Sequence, residues 1–139
     1  MCHLSGYEAA AFAAWAGARQ PTEFEWEHAA GAQADPGPVR VDGRLCPLAE
    51  TLPTDAAALR QLHGEVWQWT ASAYAPYPGF RPLAGPAAEY NGKFMVNQLV
   101  LRGSSFATPA GHARHSYRNF FPAAARWQFS GLRLARDAG

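Results

Sequence analysis

Residues 99–136 read LVLRGSSFATPAGHARHSYRNFFPAAARWQFSGLRLAR, and this stretch decides the fold. A short apolar run leads into a loop rich in Gly, Pro, Ser and Thr. An Arg- and aromatic-dense segment follows, then a closing run that alternates apolar and polar residues. The pattern predicts two strands framing a long polar, aromatic and cationic loop, an arrangement in which a rigid scaffold presents a site. Six of the twelve basic residues lie here (Arg102, Arg114, Arg118, Arg126, Arg133, Arg136), and the nearest acid is Asp137, just beyond.

At 139 residues the chain is one domain or a piece of one, long enough to bury roughly two thirds of its unfolded surface. A hydrophobic fraction of 48% with 17% charged residues excludes a disordered chain. Eighteen aromatics with 13 Gly and 11 Pro imply short elements joined by much irregular chain, a loop-heavy α+β protein. The net charge of +1 hides a polarity: residues 1–65 carry nine acids against four bases, and residues 66–139 eight bases against two acids. The simpler reading pairs the halves across a shared core, with solvated ion pairs of little energetic worth. The sharper one is a cationic rim for a carboxylate-bearing small molecule. A single Lys, no basic run and a pI of 7.9 argue against nucleic-acid binding. Cys2 and Cys46 are too few and too isolated for a disulfide framework or a zinc ribbon. Without a signal peptide or an apolar run of membrane-spanning length, the expectation is a soluble cytoplasmic protein with no membrane partner.

Upstream, Ser5-Gly6-Tyr7-Glu8 is a capping box that opens an Ala-rich helix over 7–16, projecting Tyr7, Phe12 and Trp15 and stopping at Gly17. Thr22-Glu23-Phe24-Glu25 is a second box, opening a short helix that ends near Gly31, with Phe24 and Trp26 as anchors and acids in its first turn. Residues 31–53 read as an ordered surface loop, and 55–61 as one or two helical turns. Glu65 to Thr70 alternates for a strand, with Val66, Gln68 and Thr70 on one face and Trp67 and Trp69 on the other. Residues 71–92 are turn-rich, and 93–101 extended.

Six segments then carry a family resemblance: SGYEAAAFAAWAG at 5–17, PTEFEWEHAA at 21–30, GEVWQWTASAY at 64–74, LVLRGSS at 99–105, YRNF at 117–120 and GLRLAR at 131–136. In this order they resemble the sulfatase-modifying-factor superfamily, whose fold is C-type-lectin-like α+β, loop-rich with short strands. PYPGFRPLAG (76–85), EYNGKFM (89–95) and SYRNFFPAAARWQFSGLRLARD (116–137) resemble the ergothioneine-biosynthesis branch, the non-haem iron hercynine sulfoxide synthases. The resemblance implies O2-dependent joining of hercynine to cysteine or γ-glutamylcysteine. It also implies that residues 1–139 are an incomplete, C-terminal part of the lectin-like domain. Fe(II) is then held through three His by a separate upstream helical bundle, whose motif is His, three residues, His, one residue, Glu. None of His3, His28, His63, His112 and His115 has that spacing, so the chain alone is expected to bind no iron and to be inactive.

Tyr90 and Asn119 are, on this resemblance, substrate contacts near the hercynine. Phe120 stands where some members have Trp and can offer a cation–π face. Phe121 stands where they have Asp and cannot replace that carboxylate; core packing is the plainer role for both phenylalanines. Arg118 is either a carboxylate clamp, suited by its planar fork, or an internal tether. Formylglycine-generating members carry two cysteines near this loop; residues 106–118 have none, which excludes sulfatase activation. His112-x-x-His115 is better read as surface or hydrogen-bonding imidazoles than as metal ligands, because Pro109 and Gly111 oppose a helix and no third ligand is near. Trp67 and Trp69 read as core. Relatives also suggest a structural calcium or sodium ion around Glu65. The alternatives from other classes are a non-catalytic binding or scaffold domain, with an exposed apolar docking surface, and a truncated gene product.

Overall fold

A computed structural model describes residues 1–33, 46–49, 59–86, 88 and 92–138. Both predicted capping boxes form. Ser5 Oγ accepts from Glu8 N and Glu8 Oε2 from Ser5 N, opening helix α1 (Gly6–Trp15). Thr22 and Glu25 make the same reciprocal pair at the start of helix α2 (Glu23–Gly31). Helix α1 ends in a Schellman motif: Gly17 takes φ of 61°, its N–H donates to Ala14 O, and Ala18 N donates to Ala13 O.

Four strands follow among the described residues: β1 (Trp67–Ala73), β2 (Gln98–Gly103), β3 (Asn119–Pro122) and β4 (Ser130–Leu132). They form one sheet in the order β3-β2-β1-β4. Strand β2 runs antiparallel to both β1 and β3, while β4 lies parallel to β1. The α+β expectation therefore holds. The framing pair is there as β2 and β4, but the loop between them contributes β3, which the sequence pattern did not announce. The predicted turns over 55–61 are absent from 59–61, which are not helical, and 55–58 lie outside the described residues, as does most of the 31–53 loop.

Strand β1 explains the layering. Trp67 and Trp69 face α1, packing with Ala9 and Leu101 in one core cluster. Gln68 turns to α2, where its Oε1 accepts from Trp26 Nε1 at 2.8 Å, and Trp26, Ala30 and Leu62 form a second cluster. Both faces are thus covered, so the four residues Trp67 to Thr70 are all buried despite their alternation. Gln68 tolerates this because its amide is saturated: Oε1 also accepts from Arg133 Nε, and Nε2 donates to Gln61 O and Leu62 O.

One anchor expectation is corrected, on α2, while α1 projects its large side chains as expected. Helix α1 seats itself through Gly6, Ala9 and Ala13, whose small side chains allow close approach, and turns Tyr7 (68% exposed) and Trp15 (81%) outward. On α2, Trp26 is the anchor at 2% exposure, but Phe24 is on the surface beside Tyr77. Gly103 ends β2 at φ of 90°, and a Cβ there would meet Leu62 O at 2.4 Å, so the chain must carry Gly at this crossing. Among the described residues no helix is long and apolar enough to cross a membrane.

Candidate functional site

An arginine inside an apolar strand needs a partner, because an unpaired charge cannot be left in a core. Arg102, in the run LVLRG, is 0% exposed, and its partner is Glu23, the first residue of α2, 2% exposed. Arg102 Nη2 donates to Glu23 Oε2 at 3.0 Å and to Glu27 Oε2 at 2.6 Å, and its Nη1 to the carbonyls of His115 and Tyr117. Arg118, just before β3, grips the same carboxylate in bidentate fashion, with Nε to Oε2 and Nη2 to Oε1, both at 2.8 Å. The Tyr77 hydroxyl lies 3.2 Å from Glu23 Oε2, and Arg118 Nη2 also reaches Ala75 O at 3.0 Å. Two arginines thus converge on one buried carboxylate at a helix N-terminus, where the dipole favours negative charge.

Arg118 is accordingly a tether, and it is sandwiched by aromatics. Its guanidinium carbon lies 4.7 Å from the Tyr74 ring centre and 4.2 Å from that of Tyr77. Burial pushes both phenols above their ordinary pKa, so at neutral pH they are uncharged and can donate a hydrogen bond. Phe120 stacks face to face on Tyr74, with centroids 4.0 Å apart and planes within 6°, and Phe94 lies tilted 6.0 Å from it. Tyr74 also lines a cleft of about 640 Å³ where the ends of β1, β2 and β3 meet Tyr7 of α1; Asn97 and Gln98 add polar groups to its lining and Met95 an apolar one.

Of the residues expected at the site, Arg118 and Phe120 are brought together around Tyr74. Asn119 adjoins them on β3, with its Oδ1 accepting from Phe120 N at 3.0 Å. Phe121 packs in the Trp67–Trp69 core cluster, edge-on to Trp127. Tyr90 lies outside the described residues. Sequence reasoning missed Tyr74 and Glu23 as parts of this centre. The available signal for Glu23 was Arg102 itself, a cation in an apolar run that demanded an acid.

The histidines do not assemble an iron site. His63 Nε2 and His115 Nδ1 face each other at 3.1 Å beside Trp26, and His112 lies edge-on to Tyr117. Among the described residues no three His, Cys, Asp or Glu side chains converge, so the donor set present does not fit Fe(II). Glu65, near the suggested calcium or sodium position, has Oε2 accepting the Leu48 N–H at 2.6 Å.

Residues 1–40 and 42–138 match the family described as sulfatase-modifying factor enzyme 1-like domain. The chain is 38% identical to a hercynine oxygenase of Mycolicibacterium smegmatis and 36% to one of Mycobacterium tuberculosis, each over 97% of this chain. It spans 37% and 36% of those two proteins, little more than a third of their length. A formylglycine-generating enzyme of Streptomyces coelicolor is 30% identical over 98% of this chain and 52% of its own length. The α+β sheet and the near-complete family match together establish that the chain belongs to the sulfatase-modifying factor enzyme 1-like domain family.

Proposed function

We propose that residues 1–139 form the C-terminal, substrate-lining part of a cytoplasmic hercynine oxygenase, within a lectin-like domain, and that the iron is held by an upstream bundle. On this reading the reaction is O2-dependent C–S bond formation between hercynine and cysteine or γ-glutamylcysteine. The described residues do not fit Fe(II), so no step of that chemistry is assigned to them. Their work is to bind and orient a small molecule, not nucleic acid.

The observation that carries the reading is the aromatic group Tyr74, Phe94 and Phe120, whose Tyr74 lines the 640 Å³ cleft. Ring faces attract a quaternary ammonium by about 0.5–2 kcal/mol, and the cleft is within the size range of small-molecule sites. Asn119 adjoins Phe120 on β3, and Tyr90 belongs to the segment that the resemblance sets beside the substrate. Arg118 spends Nε and Nη2 on Glu23 and Ala75 but has no hydrogen bond from Nη1 among the described residues, which leaves that nitrogen for a substrate carboxylate. The relatives' name, hercynine oxygenase, supports the substrate class.

Isothermal titration of the chain with hercynine tests this. Phe120→Ala is expected to weaken binding by about 2- to 30-fold, the range equivalent to one cation–π face; unchanged affinity in a folded variant defeats the assignment. The chain supplied with hercynine, cysteine, Fe(II) and O2 is expected to form no sulfoxide, and product would show that the metal need not come from elsewhere. A non-catalytic binding module is the second reading, favoured by the outward Tyr7, Trp15 and Trp127. It gains if hercynine does not bind at all.

A further inference from the structure

A second pocket, of about 210 Å³, lies against α2 and the segment that follows β4, apart from the cleft described above. Pro21, Trp26, Leu59 and Leu62 make its apolar walls, and Arg133 and Arg136 stand in the lining. Its acid, Glu25, is engaged: both carboxylate oxygens accept from Arg19, at 2.8 and 2.7 Å. Arg133 and Arg136 have no such partner among the described residues. Arg136 donates to the Ala16 carbonyl at 3.4 Å. Arg133 is half-buried and held rigidly by neutral acceptors, Nε to Gln68 Oε1 at 3.1 Å and Nη2 to Arg60 O at 2.6 Å. Its Nη1 has no hydrogen bond, and no carboxylate pairs with it, among the described residues. Burial holds this guanidinium below its ordinary pKa with no opposing charge to offset the loss of water.

A desolvated cation fixed beside an apolar pocket, with no counter-charge among the described residues, is an anion receptor, and a guanidinium fork with an open nitrogen suits a carboxylate. We propose that this pocket binds a small monocarboxylic acid with a compact branched or aromatic body. The carboxylate sits on Arg133 Nη1 with Arg136 at the rim, and the body lies among Trp26, Leu59 and Leu62. The volume is below the roughly 300–1,000 Å³ of drug-sized sites, which restricts the ligand to about the size of an amino acid. A ligand ammonium group is disfavoured, because Arg133 and Arg136 share the lining with no paired acid among the described residues. A peptide C-terminus carries the same chemistry, but the pocket has room for a single residue, so the ligand is a free acid.

The probes are phenylacetate and 4-methylpentanoate, with phenylacetamide as the uncharged control, titrated into the 15N-labelled chain. The Trp26 indole N–H resonance is the reporter. Both acids are expected to shift it saturably, and the amide to bind at least about ten-fold more weakly. Arg133→Gln is expected to abolish the preference for acid over amide. If that variant does not fold, Leu59→Asp, at a partly exposed position on the pocket wall, should reject the acids by charge alone while leaving the far cleft untouched. The proposal fails if acid and amide bind equally, if neither acid binds below about 10 mM, or if folded Arg133→Gln or Leu59→Asp binds acids like the parent. Tighter binding of a tetrapeptide ending in Leu than of either acid would assign the pocket to chain ends and overturn the free-acid proposal.

Discussion

Truncating Glu23 is the sharpest test of how this domain is held together. The carboxylate accepts from Arg102 Nη2 at 3.0 Å and from Arg118 Nε and Nη2 at 2.8 Å, with the Tyr77 hydroxyl at 3.2 Å, all in an environment 2% exposed. In Glu23→Ala, Arg102 keeps Glu27 and two carbonyls, but Arg118 keeps only Ala75 O and two ring faces. Removing one partner of a buried pair leaves an uncompensated charge, at a cost of about 3–5 kcal/mol. A domain of this kind has about 5–15 kcal/mol in total, so about a fifth or more of its stability is at stake. At about 3 °C per kcal/mol for a chain of this length, Tm falls by about 10–15 °C. Arg118→Ala is milder, about 1–2 kcal/mol, because Glu23 then still faces Arg102 and charge balance with Glu27 is only half disturbed. The double variant is accordingly expected to be less damaging than the sum of the two, with a coupling of about 1–3 kcal/mol. Urea unfolding followed by tryptophan fluorescence measures all three. A loss under about 1 kcal/mol for Glu23→Ala, or strict additivity in the cycle, would refute the reasoning.

The two capping boxes make matched predictions: Ser5→Ala and Thr22→Ala are each expected to cost about 1 kcal/mol in urea unfolding, since each removes the acceptor for a first-turn N–H. Gly103→Ala places a Cβ 2.4 Å from the Leu62 carbonyl oxygen at φ of 90°, and the domain should lose more than about 2 kcal/mol, whereas Gly31→Ala, with nothing within 4 Å of its added Cβ, should be neutral or slightly stabilising. Glu25 is held at about 2 instead of 4.5, first by the hydrogen bonds from Arg19 and then by the Thr22 N–H. A depressed folded-state pKa contributes stability that is present above 4.5 and lost as pH falls from 4.5 toward 2, so Glu25→Gln should flatten the acid limb of the stability–pH curve in that window. An unchanged acid limb would show that the Arg19 cluster is not formed in solution.

How legible the molecule was in its sequence follows from how local each decision is. Both helices could be placed to within a residue because Ser5–Glu8 and Thr22–Glu25 settle their own backbone within one turn. Strand β1 was legible through its period of two. Strand β3 was not: Asn119–Pro122 is four residues with no alternation, lying at the sheet edge, where Pro122 can end a strand without breaking a ladder. The surface position of Phe24 was equally hidden: two positions from Trp26 on one helix it cannot share the same face, and contact with β1 decides which ring is buried. For the candidate site, Asn119, Phe120 and Arg118 were found through a resemblance of wording. Tyr74, the ring that joins Phe120 to Arg118, carried no motif of its own and was exposed only by the stack at 4.0 Å.

The chain's own order of residues determined the helix ends, the first central strand, the loop-rich α+β character and the family. Each of these is set by neighbours within a few positions or by segments in a fixed succession. The tertiary structure alone decided the strand order, with β4 parallel to β1, the meeting of Glu23 with arginines 79 and 95 residues away, and the half-buried Arg133 on neutral acceptors beside an apolar pocket. The reason is physical: a buried charge takes whichever counter-charge folding brings within hydrogen-bond distance, and distance in space is not written in the spacing along the chain.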